Sequence, residues 1–257
     1  MNILTDKYFA EYKRQLTTDV DSLLNGIGSV ELSRQSFTFY TSVAVISSSR
    51  IEGERMDADS YIKHKMQDIE YQPDLVEKPD DLYNAYVFAQ QNKLTLQNFL
   101  QSHILLAAHL LPEKWQGKYR KNEMLVMEHN TGKIQFEAAP FNILDSEMER
   151  LWQDIDDLNV MKLSVEEVCY YASFIHLAFV SIHPFNDGNG RAARLLEKWF
   201  LAAHLGDKAW YIKSEKYYYD HVNDYYKNLN RSGMFYEQLD YSKALPFLLM
   251  LPQSFTI

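Results

Sequence analysis

The 257 residues include 26 basic and 35 acidic side chains, for a formal net charge of −9, and are 46% hydrophobic and 14% aromatic. This is a globular composition, long enough to bury a core without disulfide or metal staples; its acidity argues against non-specific binding to nucleic acid or anionic membrane, which needs a basic face. A single cysteine, Cys169, excludes an internal disulfide and a cysteine-rich zinc site, and nine glycines with seven prolines, each about half the usual share, predict helices over turn-rich sheets.

Met1 to Lys13 has no signal-peptide core, and no uninterrupted apolar run approaches the ~18 residues of a membrane span. The expected location is therefore the cytoplasm. In chain order, a mixed segment from Asp6 to Asn25 predicts a helix ending near Gly26 and Gly28. Glu31 to Arg50 predicts a long helix closed at Glu52 and Gly53, where glycine supplies the left-handed cap. Shorter helices follow at Ser60–Asp68, Pro79–Asn92 and Leu96–Leu110. Met124–Met127 and Lys133–Phe136, around Asn130, Thr131 and Gly132, predict the one β-hairpin. Ile143–Leu158 is amphipathic. Ser164 and Glu167 form a capping box that opens an apolar, central helix reaching about Ile182. Helices are predicted again from Asn189 or Gly190 to Leu205, and at about Glu215 to Asn230 and Tyr236 to Leu251. His103, His109 and His176, inside apolar helices, read as core histidines. No spacing of the His-Glu-x-x-His kind suggests a transition metal.

Residues 181–194, between the two central helices, concentrate the chemistry. Gly188 and Gly190 let backbone N–H groups converge at a helix start, an anion nest reinforced by the helix dipole. Arg191 and Arg194, three apart, present two guanidinium forks that suit a polyphosphate. Asp187 is a hard oxygen ligand placed for a phosphate-bound Mg²⁺. His183 is a candidate base for an attacking hydroxyl. The segment Gly188 to Ala193 also fits the loose dinucleotide fingerprint, but that motif needs a preceding strand, and here a capped helix precedes it.

This segment resembles the core motif of the Fic family, His-x-Phe-x-(Asp/Glu)-Gly-Asn-Gly-Arg-x-x-Arg, at every fixed position: His183, Phe185, Asp187, Gly188, Asn189, Gly190, Arg191 and Arg194. The helix order, the upstream hairpin and the run Gly117, Lys118, Tyr119, Arg120 are similar to the family as well, so the resemblance covers roughly residues 35 to 250. It implies an all-α Fic fold with one small hairpin flap. Residues 1–34 would form an N-terminal helical extension, and 35–257 one globular Fic domain that includes an inhibitory helix at about 35–53.

The resemblance implies a protein adenylyltransferase, a nucleotidyltransferase that moves AMP from Mg-ATP to a protein hydroxyl and releases pyrophosphate. His183 would be the general base and Asp187 the Mg²⁺ ligand. Asn189 and the N–H groups around Gly188 and Gly190 would bind phosphate oxygens, with Arg191 and Arg194 on the β- and γ-phosphates. Phe185 would point into the core. The related Doc kinases have lysine where this chain has Gly190, which leaves room for the AMP-transferring orientation of ATP. Tyr225 and Tyr226 are similar to the family helix beside the adenine, and Met124 to Phe136 to the flap that docks a target segment by strand addition.

Ser48, Glu52 and Gly53 are similar to the family's inhibitory motif, (Ser/Thr)-x-x-x-Glu-(Gly/Asn), in the class that has it upstream of the core motif. An ion pair of Glu52 with Arg194 would then occupy the γ-phosphate site. The implied partner is a protein substrate with a Tyr, Thr or Ser hydroxyl, with neither nucleic acid nor membrane; a homo-oligomer stays open. Two alternatives also stay open: removal of AMP with Glu52 as the water-activating base, and a non-catalytic regulator that binds DNA. For the second, the ~24 residues after Gly233 are not basic and leave no room for a winged helix.

Overall fold

The computed structural model describes residues 1–27, 33–127 and 134–256, and the predicted positions Gly28, Glu31, Asn130, Thr131, Gly132 and Lys133 lie outside them. Helices α1 (Phe9–Gln15) and α2 (Val20–Ile27) replace the single helix expected from Asp6 to Asn25. Next come α3 (Arg34–Ile51), α4 (Ala58–Gln67), α5 (Pro73–Gln91) and α6 (Leu96–Leu106). A hairpin follows, with β1 (Leu125–Met127) antiparallel to β2 (Ile134–Glu137) in the register Val126 opposite Phe136. The rest is α7 (Leu144–Asn159), α8 (Val165–Ile182), α9 (Asn189–Leu205), α10 (Ser214–Asp220), α11 (Val222–Leu229) and two short turns of helix, α12 (Leu245–Leu248) and α13 (Met250–Gln253). The architecture is all-α with one two-stranded hairpin.

The centre is α8. Ser164 accepts from the N–H of Glu167 while the Glu167 carboxylate accepts from the N–H of Ser164, the reciprocal cap its sequence predicts. Every residue from Val168 to Phe179 is buried, so α8 is apolar all round because neighbours surround it. By length and composition α8 could cross a membrane, but 78% of it is buried inside the protein, which marks a core helix. α9 packs along it, burying Ala192, Leu196 and Phe200.

Two buried polar clusters fasten the surrounding helices. Lys198 of α9 lies 2.9 Å from Glu215 of α10, which also accepts from the Tyr86 hydroxyl of α5 at 2.8 Å. At the chain start, the buried Asp154 carboxylate accepts from the N–H groups of Asn2, Ile3 and Leu4 at 2.5, 2.7 and 2.8 Å. Removing one member of the buried Lys198–Glu215 pair leaves the other charge uncompensated, typically ~3–5 kcal/mol.

Four further elements differ from expectation. α5 begins at Pro73, six residues early, and passes through Pro79 without ending. α6 stops at Leu106, which leaves His109 on the surface, bonded to Asp81 at 2.8 Å, and not in the core. The segment expected as one helix from Glu215 to Asn230 breaks at His221 (φ −118°, ψ 36°). Tyr236–Leu251 is a run of short turns instead of a helix; Pro246 sits in the first turn of α12, which tolerates it, while Pro252, with no backbone N–H to donate, keeps α12 from running on through α13 as one helix.

Candidate active site

α8 ends on His183, whose backbone is left-handed (φ 54°, ψ 59°), a conformation rare for residues other than glycine and worth ~1 kcal/mol or more of strain. This sharp turn swings the imidazole to the wall of a cleft of about 720 Å³. The His183 Nδ1 is 3.2 Å from the Val180 carbonyl. A carbonyl can only accept, so Nδ1 carries the proton and Nε2 keeps its lone pair. Burial pushes the imidazole down to about 4, which keeps it neutral, and hence able to take a proton, across the neutral range.

The loop after His183 is held from three sides. Asn189 closes it, its amide accepting from Phe185 N–H at 2.9 Å and donating to the Phe185 carbonyl at 2.8 Å. The side chain assigned to phosphate from the sequence is thus buried and committed to the loop. Phe185 is fully buried, stacked on His103 with ring centroids 3.5 Å apart. His103 accepts from Gly117 N–H at Nδ1 (2.9 Å) and donates from Nε2 to the Asp187 carbonyl (3.1 Å); the acceptance at Nδ1 requires the neutral ring. Burial pushes this histidine to about 4 as well. On the third side, the buried Arg120 donates to the carbonyls of His183 (2.8 Å), Asn122 (2.6 Å), Ile182 (3.3 Å) and Ala139.

Gly188 takes the left-handed region (φ 79°) and caps α9, and a Cβ there would press to 2.9 Å from Leu106. Its N–H donates to the exposed Asp187 carboxylate at 2.6 Å. Among the described residues no three His, Cys, Asp or Glu side chains form a metal cage. Magnesium commonly takes one or two carboxylates and fills its shell with phosphate and water oxygens. An exposed carboxylate beside a helix N-terminus, as Asp187 is, fits an ion that arrives with a phosphate ligand.

The two arginines of α9 are both engaged. Arg194 donates to the Ser48 hydroxyl (2.8 Å), the Ser48 carbonyl (3.2 Å), the Glu52 carboxylate (2.6 Å) and the Tyr225 hydroxyl (3.1 Å). Arg191 pairs with Glu54 at 3.0 Å. Burial alone would raise the Glu52 carboxyl; the charges of Arg194 and Arg191 with the Arg194 hydrogen bond outweigh it and hold it below its ordinary value. A Cβ on Gly190 would collide with Glu52 Oε1 and stand 3.3 Å from Arg194, so only glycine leaves this space open.

The cleft joins these pieces: His183, Gly190, Arg194, Glu52, Gly53, Tyr225 and Tyr226 line it, with Val126, Met127, Gln135 and Phe136 of the hairpin opposite. Tyr226 donates to the Ile51 carbonyl at 3.3 Å, and burial pushes its hydroxyl up to about 12. Tyr225 is buried and bridges Arg194 to His176 Nε2 (3.0 Å), whose Nδ1 meets Glu197 at 2.8 Å. Leu125, Met127 and Ile134 of the hairpin are exposed. Asp187, Asn189 and Arg191 stand outside the cleft lining. Sequence reasoning missed Glu54, whose only signal was a second carboxylate two residues after Glu52, and the clamping role of Arg120.

Residues 93–201 match the family model described as Fic, Fic/DOC family. A curated relative, "Protein adenylyltransferase Fic" of Drosophila erecta, is 33% identical over 124 residues, 47% of this chain and 23% of its own length. The chain thus spans about a quarter of that relative. Two solved structures share the fold: a Fic family protein from Desulfovibrio desulfuricans (TM-score 0.79, 18% identity, 99% of this chain and 75% of that one), and a Fic domain containing signaling protein from Bacteroides thetaiotaomicron (TM-score 0.66, 19% identity, 95% of each).

Proposed function

Because this chain carries a Fic domain, matched over residues 93–201, we propose that it is an auto-inhibited protein adenylyltransferase. The observation that supports this most is the shared cleft, which sets a neutral, oriented imidazole at His183 beside the glycine- and arginine-bearing start of α9. His183 takes the proton of a Tyr, Thr or Ser hydroxyl on a target protein. The hydroxyl oxygen bonds to the α-phosphorus of ATP, the bond from that phosphorus to the bridging oxygen breaks, and pyrophosphate leaves. Asp187 would hold the Mg²⁺ that accompanies the triphosphate and offsets its charge. The N–H groups at the start of α9 and the two arginines receive the outer phosphates.

The hairpin offers the target an edge for strand addition, with Leu125, Met127 and Ile134 exposed on it. Glu52 holds Arg194 away from the γ-phosphate. Removal of AMP is the second reading, with Glu52 as the base. Its pairing with Arg194 lowers its basicity, which favours transfer. The test is exposure of the protein to Mg-ATP, followed by mass spectrometry for an added AMP group on itself or on lysate proteins. A folded Glu52→Gly protein that transfers the γ-phosphate and no AMP would overturn the reading.

A further inference from the structure

Glu54 lies just past the left-handed Gly53 (φ 88°), in a turn where the N–H groups of both Glu52 and Glu54 donate to the Ser49 carbonyl at 3.1 Å. That turn brings two carboxylates against the same helix. Glu52 meets Arg194; Glu54 meets Arg191 at 3.0 Å and Lys78 of α5 at 3.1 Å. The Glu54–Arg191 pair is nearly dry, its side chains 14% and 5% exposed, which weakens solvent screening. Arg191 is only partly satisfied by it: its buried Nε has no hydrogen-bond partner among the described residues. Its charge nonetheless reaches the cleft, where it acts on Glu52 and on Tyr226.

We propose that Glu54 is a specificity-determining residue of the nucleotide site, holding Arg191 as Glu52 holds Arg194 and thereby disfavouring ligands with phosphates beyond the first. The inference rests on the reading of α9 as the phosphate-binding helix. A nucleoside monophosphate needs neither arginine and escapes the penalty. A diphosphate must displace Glu54 from Arg191, and a triphosphate must displace both carboxylates. Opening Glu52 alone therefore frees only half of the cradle.

Lys78 separates a local loosening from a freed arginine. Its removal breaks the link from Glu54 to α5 but leaves Glu54 on Arg191 with one competitor fewer.

The test is calorimetric titration of AMP, ADP and ATP, each with Mg²⁺, into wild type, Glu54→Gln, Lys78→Met and Glu52→Gly proteins whose folding is checked by circular dichroism. Glu54→Gln should bind ADP about tenfold more tightly, the loss of roughly one charged hydrogen bond from the competitor, with AMP within twofold of wild type. Lys78→Met should bind ADP no better than wild type. The proposal is overturned if Glu54→Gln leaves ADP unchanged, tightens AMP and ADP equally, or is matched by Lys78→Met. If none of the four folded proteins binds any nucleotide, the phosphate-site reading falls first and takes the proposal with it. Binding of ADP with no Glu54 effect removes the proposal alone.

Discussion

The Oε1 of Glu52 sits 2.6 Å from Arg194, in space that any side chain on Gly190 would fill. In the proposed reading, an ATP γ-phosphate and this carboxylate compete for one guanidinium. Glu52→Gly should raise self-labelling from α-labelled ATP at least about tenfold, the effect of removing one charge-assisted competitor. Adding Arg194→Ala should cancel the gain. A folded Glu52→Gly protein that binds ATP and labels like wild type would end the auto-inhibition reading.

His183→Ala should keep nucleotide affinity, because in the proposed mechanism the imidazole serves the hydroxyl and not the phosphates, while transfer falls by at least ~10²-fold. With its proton affinity lowered to about 4 by burial, the wild-type acid limb should lie nearer pH 4 than 6.5. A pH–rate profile of single-turnover labelling, taken in the wild-type protein and in the Glu52→Gly background, checks both points, and an inflection at 6.5 would contradict the half-buried, neutral imidazole.

Asp187→Ala removes the carboxylate that accepts from the Gly188 N–H at the start of α9. Magnesium should then cease to tighten ATP binding, and labelling should collapse with partial return at high Mg²⁺. Calorimetry with and without Mg²⁺ reads this directly. An unchanged magnesium effect would move the ion elsewhere.

His103 gives the fold an acid sensitivity of known sign. Its folded value of about 4 lies below the ordinary 6.5, so between those limits the unfolded chain binds more protons. Its contribution is intact above pH 6.5 and is lost as pH falls towards 4, by up to ~3 kcal/mol. His103→Gln can repeat both hydrogen bonds without titrating. Urea midpoints should fall less steeply from pH 7 to 4.5 in this variant, with ~1 kcal/mol lost at neutral pH from the ring stack on Phe185. An identical slope would assign the acid sensitivity to other groups.

Local signals were legible in the sequence and tertiary ones were not. Ser164 and Glu167 are three apart, so their cap needs no other part of the chain. The loop from His183 to Arg194 is dense in residue types whose chemistry is read one at a time. The break at His221 has neither proline nor glycine to announce it, and Pro79 lies inside a helix that propensity alone would end. Asn189 reads as a phosphate ligand until the fold brings its amide onto Phe185. Arg120, 63 positions before His183, acquires its role only when the chain folds back on it.

Through Arg120, the hairpin and the loop bearing His183 become one mechanical part. The same buried guanidinium holds Asn122 before β1, Ala139 after β2, and the carbonyls of Ile182 and His183. The roots of the hairpin cannot rock without pulling on the peptide that carries the imidazole. In the proposed reading, a target strand laid along the hairpin would be referenced to His183 through one fixed point, as work is clamped to the bed of the tool that cuts it. The residue that meets the imidazole would be chosen by its reach from that strand, so a hydroxyl on a long aromatic arm and one on a short aliphatic arm would have to lie at different heights above it.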